Sequence, residues 1–135
     1  MNDKIEQLLQ SPYYIIDILP MQVPENSLGQ YFAVEEYYLK DNQFEEIKRK
    51  HINLVLKLNA YRDISIDEEA VINPSPKHIA REMRKRYLYI MLGESMILSE
   101  PDDTHMTVFN PDPQLLELIK AIAAGEGLYV WKPSC

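Results

Sequence analysis

The segment Glu100-Pro101-Asp102-Asp103-Thr104-His105 is the densest polar constellation of the chain. Three carboxylates and an imidazole within six residues are the donor types of a divalent-cation site or an acid–base pair. Asp102, Asp103 and His105 are the candidate metal ligands, two oxygens from one tight turn and a nitrogen from the strand that follows. A plain turn accounts for the same residues: proline suits its second position, and aspartate bonds nearby backbone amides. No known metal signature has this spacing.

Asp17 lies between Ile16 and Ile18 in an apolar run, so it needs a partner or a shifted pKa. Arg62 or a backbone amide is the expected partner, and perturbed carboxyls also cluster at active sites. Lys77 to Arg86 carries five bases and one acid, a net of +4. Arg81, Arg84 and Lys85 fall on one flank at helical spacing, a candidate surface for phosphate, RNA or an acidic protein. Asp67, Glu68 and Glu69 are placed to neutralise it. From Leu88 onward seven acids face two bases, a net of −5, so the molecule is polarised.

Nine of the thirteen aromatic residues are tyrosine, which suits half-buried sheet faces and interfaces. Tyr129 and Trp131 are the candidate anchors of an interface. The net charge of −7 disfavours a nucleic-acid partner. The chain contains no phosphate-binding loop, dinucleotide glycine fingerprint, nucleophile elbow or Cys–His cluster. With only four glycines it has little capacity for loops that wrap a cofactor, and none is expected.

These groups need a frame. Tyr87–Leu92, Ser95–Ser99 and Thr104–Phe109 read as a β-meander, about 87–109, with Gly93-Glu94 at its first turn. Leu88, Ile90 and Leu92 line one face of its first strand while Tyr87, Tyr89 and Met91 line the other, so that strand is central. Tyr13–Leu19, Tyr61–Asp67 and Leu128–Trp131 are further strands. Phe44, Ile47, His51, Val55 and Leu58 share one face of a helix over 41–59, with Asn42 and Glu45 resembling a capping box. Ser75-Pro76 starts a helix over 76–85. Asn110-Pro111-Asp112-Pro113 starts another over 113–124, closed by Gly125. Asp3–Gln10 reads as a short helix capped by Asn2. In Gln30–Lys40 the aromatics favour strand, but Glu35-Glu36 and the direct lead into the next helix favour helix. Met21–Gly29 reads as a loop.

The expectation is a single α+β domain over residues 1–135, with a mixed, mainly antiparallel sheet of five to six strands and packed helices. Its size allows a real core, and its apolar and charged contents of 46% and 26% are ordinary. The longest apolar runs are far below the ~20 residues of a membrane span. The first residues lack a secretory pattern, and the single cysteine, Cys135, is terminal, so a reduced cytoplasmic setting is expected.

The leading functional expectation is a small, bacterial-type, non-enzymatic protein acting by protein–protein contact, immunity-like or an adaptor. Its partner would be another protein or a second copy, with no membrane involved. The alternative is a metal-assisted hydrolase or small-ligand protein using Asp102, Asp103 and His105. A second alternative is phosphate or RNA binding by helix 77–86.

Overall fold

Strand alternation and prolines at helix starts decide most of the architecture. The structure, a computed structural model, describes residues 3–67 and 70–134. In chain order its elements are α1 (Asp3–Leu9), β1 (Tyr13–Asp17), a 3-10 turn at Glu25–Ser27, α2 (Leu28–Tyr38), α3 (Asp41–Asn59), β2 (Ser65–Ile66), α4 (Pro76–Lys85), β3 (Leu88–Leu92), β4 (Ser95–Ser99), β5 (Met106–Phe109), α5 (Pro113–Glu126) and β6 (Tyr129–Trp131). The fold is a single-domain α+β structure. The six strands of the sheet run in the order β2-β3-β4-β5-β1-β6, and among the described residues each pairing is antiparallel, with none of the parallel pairs a mixed sheet would contain.

Two cores sandwich the sheet. On one face Leu88, Ile90, Leu92, Ile97 and Val108 meet α3, α4 and α5 through Leu54, Val55, Leu58, Ile79, Met83, Leu115 and Ile119. On the other, Met91, Met96 and Phe109 meet Ile5 and Leu8 of α1. The central position expected for β3 follows from this cover on both sides.

Capping chemistry sets the helix ends. Ser75 Oγ accepts from the His78 N–H at 3.2 Å with Pro76 at the first helical position. Asp112 does the same for Leu115 at 2.8 Å, and it also pairs with Arg62 at 3.3 Å. Arg62 is therefore not the partner of Asp17. α5 runs through Gly125 and ends at Gly127, whose φ is 76°. Leu128 N–H donates to the Ala123 carbonyl and Gly127 N–H to that of Ala124, so the second of two available glycines takes the left-handed position. The capping box expected at Asn42 and Glu45 does not form. α3 starts at Asp41 without a side-chain cap, and Glu45 pairs with Arg84 at 2.6 Å.

Other boundaries shift for local reasons. β1 stops at Asp17 because that carboxylate takes the Ile18 N–H at 2.7 Å. β2 shrinks to two residues because Asn73 satisfies both the N–H and the carbonyl of Ile64. Gly29, expected to break the chain, lies inside α2, and the helical reading of 30–40 holds. β5 starts at Met106, which leaves His105 in the loop before it. The proposed cap Asn2, the acids Glu68 and Glu69, and Cys135 fall outside the described residues.

Candidate functional site

Sheet register assembles the site. β1 is the first strand in sequence, yet it inserts between β5 and β6. Ile16 pairs with Met106, so the next step of the ladder brings Asp17 level with His105. On its other side Asp17 pairs with Tyr129 and Ile15 with Trp131. Alternation then puts Asp17 and Trp131 on the same face. The loop 100–105 from β4 to β5 closes over this end of the sheet, and α3 lies beneath it.

His105 Nδ1 stands 2.8 Å from Asp103 Oδ1, and the His105 N–H also donates to that oxygen at 3.3 Å. The Asp103 bond holds the imidazole above its ordinary pKa against the effect of burial, and the charges of Asp103, Asp17 and Glu100 add to it. Burial pushes the Asp103 carboxyl up, but the hydrogen bond and charge of His105 outweigh this and hold it below the usual range. Both shifts favour the charged form of the pair. Glu100 joins them: one oxygen or nitrogen of each of Glu100, Asp103 and His105 lies within 4.8 Å of the others. Asp102 is exposed and outside this trio, so Glu100 stands where the sequence suggested Asp102.

Two buried bases from α3 back the loop. Lys48, only 2% exposed, donates from Nζ to the Glu100 carbonyl at 2.8 Å and lies 5.8 Å from the Phe44 ring centre. Burial and the Arg84 charge lower its pKa to about 8, although Asp103, Asp102 and Glu100 pull the other way. His51 is fully enclosed; the Thr104 backbone carbonyl lies against its ring, but neither ring nitrogen reaches hydrogen-bond geometry. Burial, then the Lys48 charge, drive its pKa down to about 3, so it is neutral. Sequence placed His51 on the inward face of the helix but missed Lys48. The available signal was that Lys48 sits three and four residues before His51 and Ile52, on the edge of the apolar stripe.

Asp17 is 7% exposed, and burial raises its pKa despite the Ile18 and Leu19 amides and the His105 charge. Among the described residues it forms no ion pair. The indole N–H of Trp131 lies against its carboxylate without reaching hydrogen-bond geometry. A cavity of about 190 Å³ opens here, lined by Asp17, Gln22, Val23, Leu28, Tyr31 and Trp131. Tyr31 donates its hydroxyl to Glu35 at 2.9 Å. Tyr129, two residues before Trp131, is exposed and does not line this cavity.

The basic helix is largely paired. Arg84 meets Glu45 at 2.6 Å, Arg86 meets Asp67 at 2.6 Å and Glu82 at 2.8 Å, and Arg81 bonds His78 at 2.9 Å. Lys85 is exposed.

α2 presents a different kind of surface. None of its side chains is buried, yet it carries Leu28, Phe32, Val34, Tyr37 and Tyr38, with Leu39 following. Phe32 is 58% and Tyr37 57% exposed. Sequence reading used these aromatics only to weigh strand against helix, because nothing in their spacing distinguishes a buried helix from an uncovered one. No described helix is long and apolar enough to cross a membrane. Set against known protein families, curated proteins and solved structures, the chain matches none.

Proposed function

We propose that the protein acts without catalysis, by docking another protein onto α2. The observation that carries this reading is that α2 has no buried side chain while exposing Phe32, Val34, Tyr37, Tyr38 and Leu39. Large exposed apolar patches are uncommon on monomers and mark interaction sites. Covering the half of each such side chain that is still exposed returns on the order of 1 kcal/mol. Residues 25–41 hold Glu25, Glu35, Glu36 and Asp41 against Lys40 alone, four acids to one base. The complementary partner is a protein presenting an apolar groove with a basic rim.

A photo-crosslinking residue at Phe32, with one at exposed Tyr61 as control, tests this in the producing cell. The expected result is a specific adduct at position 32 with a protein whose crosslinked segment is apolar and basic. The purified pair should bind with strong salt dependence, and F32A/L39A, which truncates two exposed side chains at i, i+7 spacing, should weaken it at least tenfold, as truncating two interface anchors does. No adduct above control refutes the reading. An adduct with the chain itself, together with a concentration-dependent dimer, replaces the foreign partner by a second copy.

A second reading, metal-assisted hydrolysis or ligand binding, is favoured by the convergence of Glu100, Asp103 and His105. In that reading His105 supplies a nitrogen ligand and the two carboxylates supply oxygens. Zinc or manganese should then raise the melting temperature of the protein and leave that of D103N unchanged. Equal responses, or none, remove it.

A further inference from the structure

We propose that the hollow between β1, β6 and the start of α2 binds an organic cation, a primary ammonium or guanidinium group, with Asp17 as its counter-ion and the Tyr31 and Trp131 rings as walls. This stands independently of docking on α2.

Four observations support it. First, Asp17 is a nearly enclosed carboxylate with no ion pair among the described residues, its only hydrogen bond that meets strict geometry coming from the Ile18 amide. A buried carboxylate is ordinarily matched by a cation. The cation whose charge acts on it, His105, is already committed to Asp103 at 2.8 Å. Second, the walls are the surfaces an organic cation selects. Tyr31 and Trp131 provide aromatic rings and Val23 and Leu28 provide apolar contact for an alkyl stem. A bare metal ion would want several oxygens instead.

Third, carboxylates outnumber the one cation, His105, whose charge reaches Asp17. Glu35 fixes the Tyr31 hydroxyl at 2.9 Å, so the ring is held in place by a second carboxylate. Asp103 lies close enough to raise the Tyr31 pKa together with Glu35 and Asp17. An anionic ligand would meet all three. Fourth, the size fits. The hollow of about 190 Å³ holds a head group with a short stem, roughly six times the 30 Å³ that one water takes in the liquid. It shares Gln22, Val23 and Leu28 with a cleft of about 520 Å³ that continues past Pro24, Glu25 and Ser134. A tail on the cation has a path out along that cleft. Gln22 Oε1 is held by the Ser134 N–H at 2.7 Å, which fixes the junction.

Trp131 is the sole tryptophan of the chain, so intrinsic fluorescence reports on the hollow directly. The protein is titrated with butylamine, agmatine, arginine methyl ester and a short lysine- and arginine-containing peptide, against matched sodium chloride. The expected result is a saturable change in Trp131 emission, with dissociation constants of millimolar order or tighter. D17N keeps the shape of the side chain and should weaken binding at least tenfold while melting like the parent. V23F fills the hollow without touching the carboxylate and should also abolish the response, which keeps the test decisive if D17N fails to fold. A response to the free amines identifies a small-molecule head group, and a response to the peptide alone identifies the side chain of a protein. No saturable change with any of these cations at tens of millimolar overturns the proposal. An equal response to butanol, or from D17N, overturns it as well.

Discussion

His105 and Asp103 form an ion pair at 2.8 Å, two residues apart in one loop, and the pair tightens toward mildly acidic pH. The sign follows from both partners. His105 is raised above 6.5, so its contribution is complete below that value and fades as pH rises through the raised pKa. Asp103 is lowered below 3.8, so its contribution is present above that value and fades as pH falls through the lowered one. H105A should therefore lose most stability between those limits. The expected loss is about 1–2 kcal/mol near pH 5.5, shrinking at pH 9, in urea denaturation at the two pH values. A loss that is the same at both would show that packing, and not charge, is what His105 supplies.

His51 titrates in the opposite sense. Its folded-state pKa of about 3 lies below the ordinary 6.5, so the unfolded chain binds the extra proton first. Stability is lost as pH falls from 6.5 toward 3, by several kcal/mol in the limit. H51L removes the proton site and two buried nitrogens that lack a well-formed hydrogen bond, at the cost of the weak contact with the Thr104 backbone. It should be as stable as the parent or more so at pH 7 and should resist acid better. Thermal melts from pH 7 down to pH 4 check this: the parent curve should fall away from that of H51L. Parallel curves would mean that the ring finds a partner in the folded protein.

Both histidines were visible in the sequence, but only part of their setting was. The meander was legible because Leu88, Ile90 and Leu92 alternate with Tyr89 and Met91, and this pattern depends on neighbours alone. The caps at Ser75 and Asp112 were legible for the same reason. The site was less so, because it depends on residues far apart in the chain. Asp17 announced itself by its apolar neighbours, yet its pairing level with His105 arises only when β1 inserts beside β5. Nothing local tells Asp102 from Glu100, and the turn geometry chose Glu100. Lys48 looked like a surface lysine until the Glu100 carbonyl, 52 residues away, came within 2.8 Å of its ammonium.

That lysine predicts an alkaline effect. Burial lowers its pKa from 10.5 to about 8, so between these values the folded protein has released a proton that the unfolded chain still holds. Folding stability rises with pH through this window, by up to about 3 kcal/mol for 2.5 pKa units. K48M has no such group. The stability of the parent minus that of K48M should be flat below pH 8 and climb toward pH 10.5, as measured by urea denaturation in steps of pH. A flat difference throughout would show an ammonium that water reaches freely.

The two glycines at the end of α5 predict opposite outcomes for one substitution. Gly125 is helical and exposed, and a Cβ there meets nothing within 4 Å. Alanine at this position restricts the unfolded chain and suits the helix, so G125A should gain about 0.5–1 kcal/mol. Gly127 has φ of 76° and donates its N–H to the Ala124 carbonyl to close the helix. Its added Cβ would meet the Lys50 Nζ at 3.3 Å, the movable end of a long side chain, so crowding is the smaller penalty. The backbone is the larger one, since an alanine held left-handed costs about 1–2 kcal/mol. G127A should therefore lower the melting temperature while G125A raises it. Were G125A to destabilise and G127A to have no effect, the helix would close at Gly125, as the sequence alone suggested, and the start of β6 that carries Trp131 toward Asp17 would be set differently.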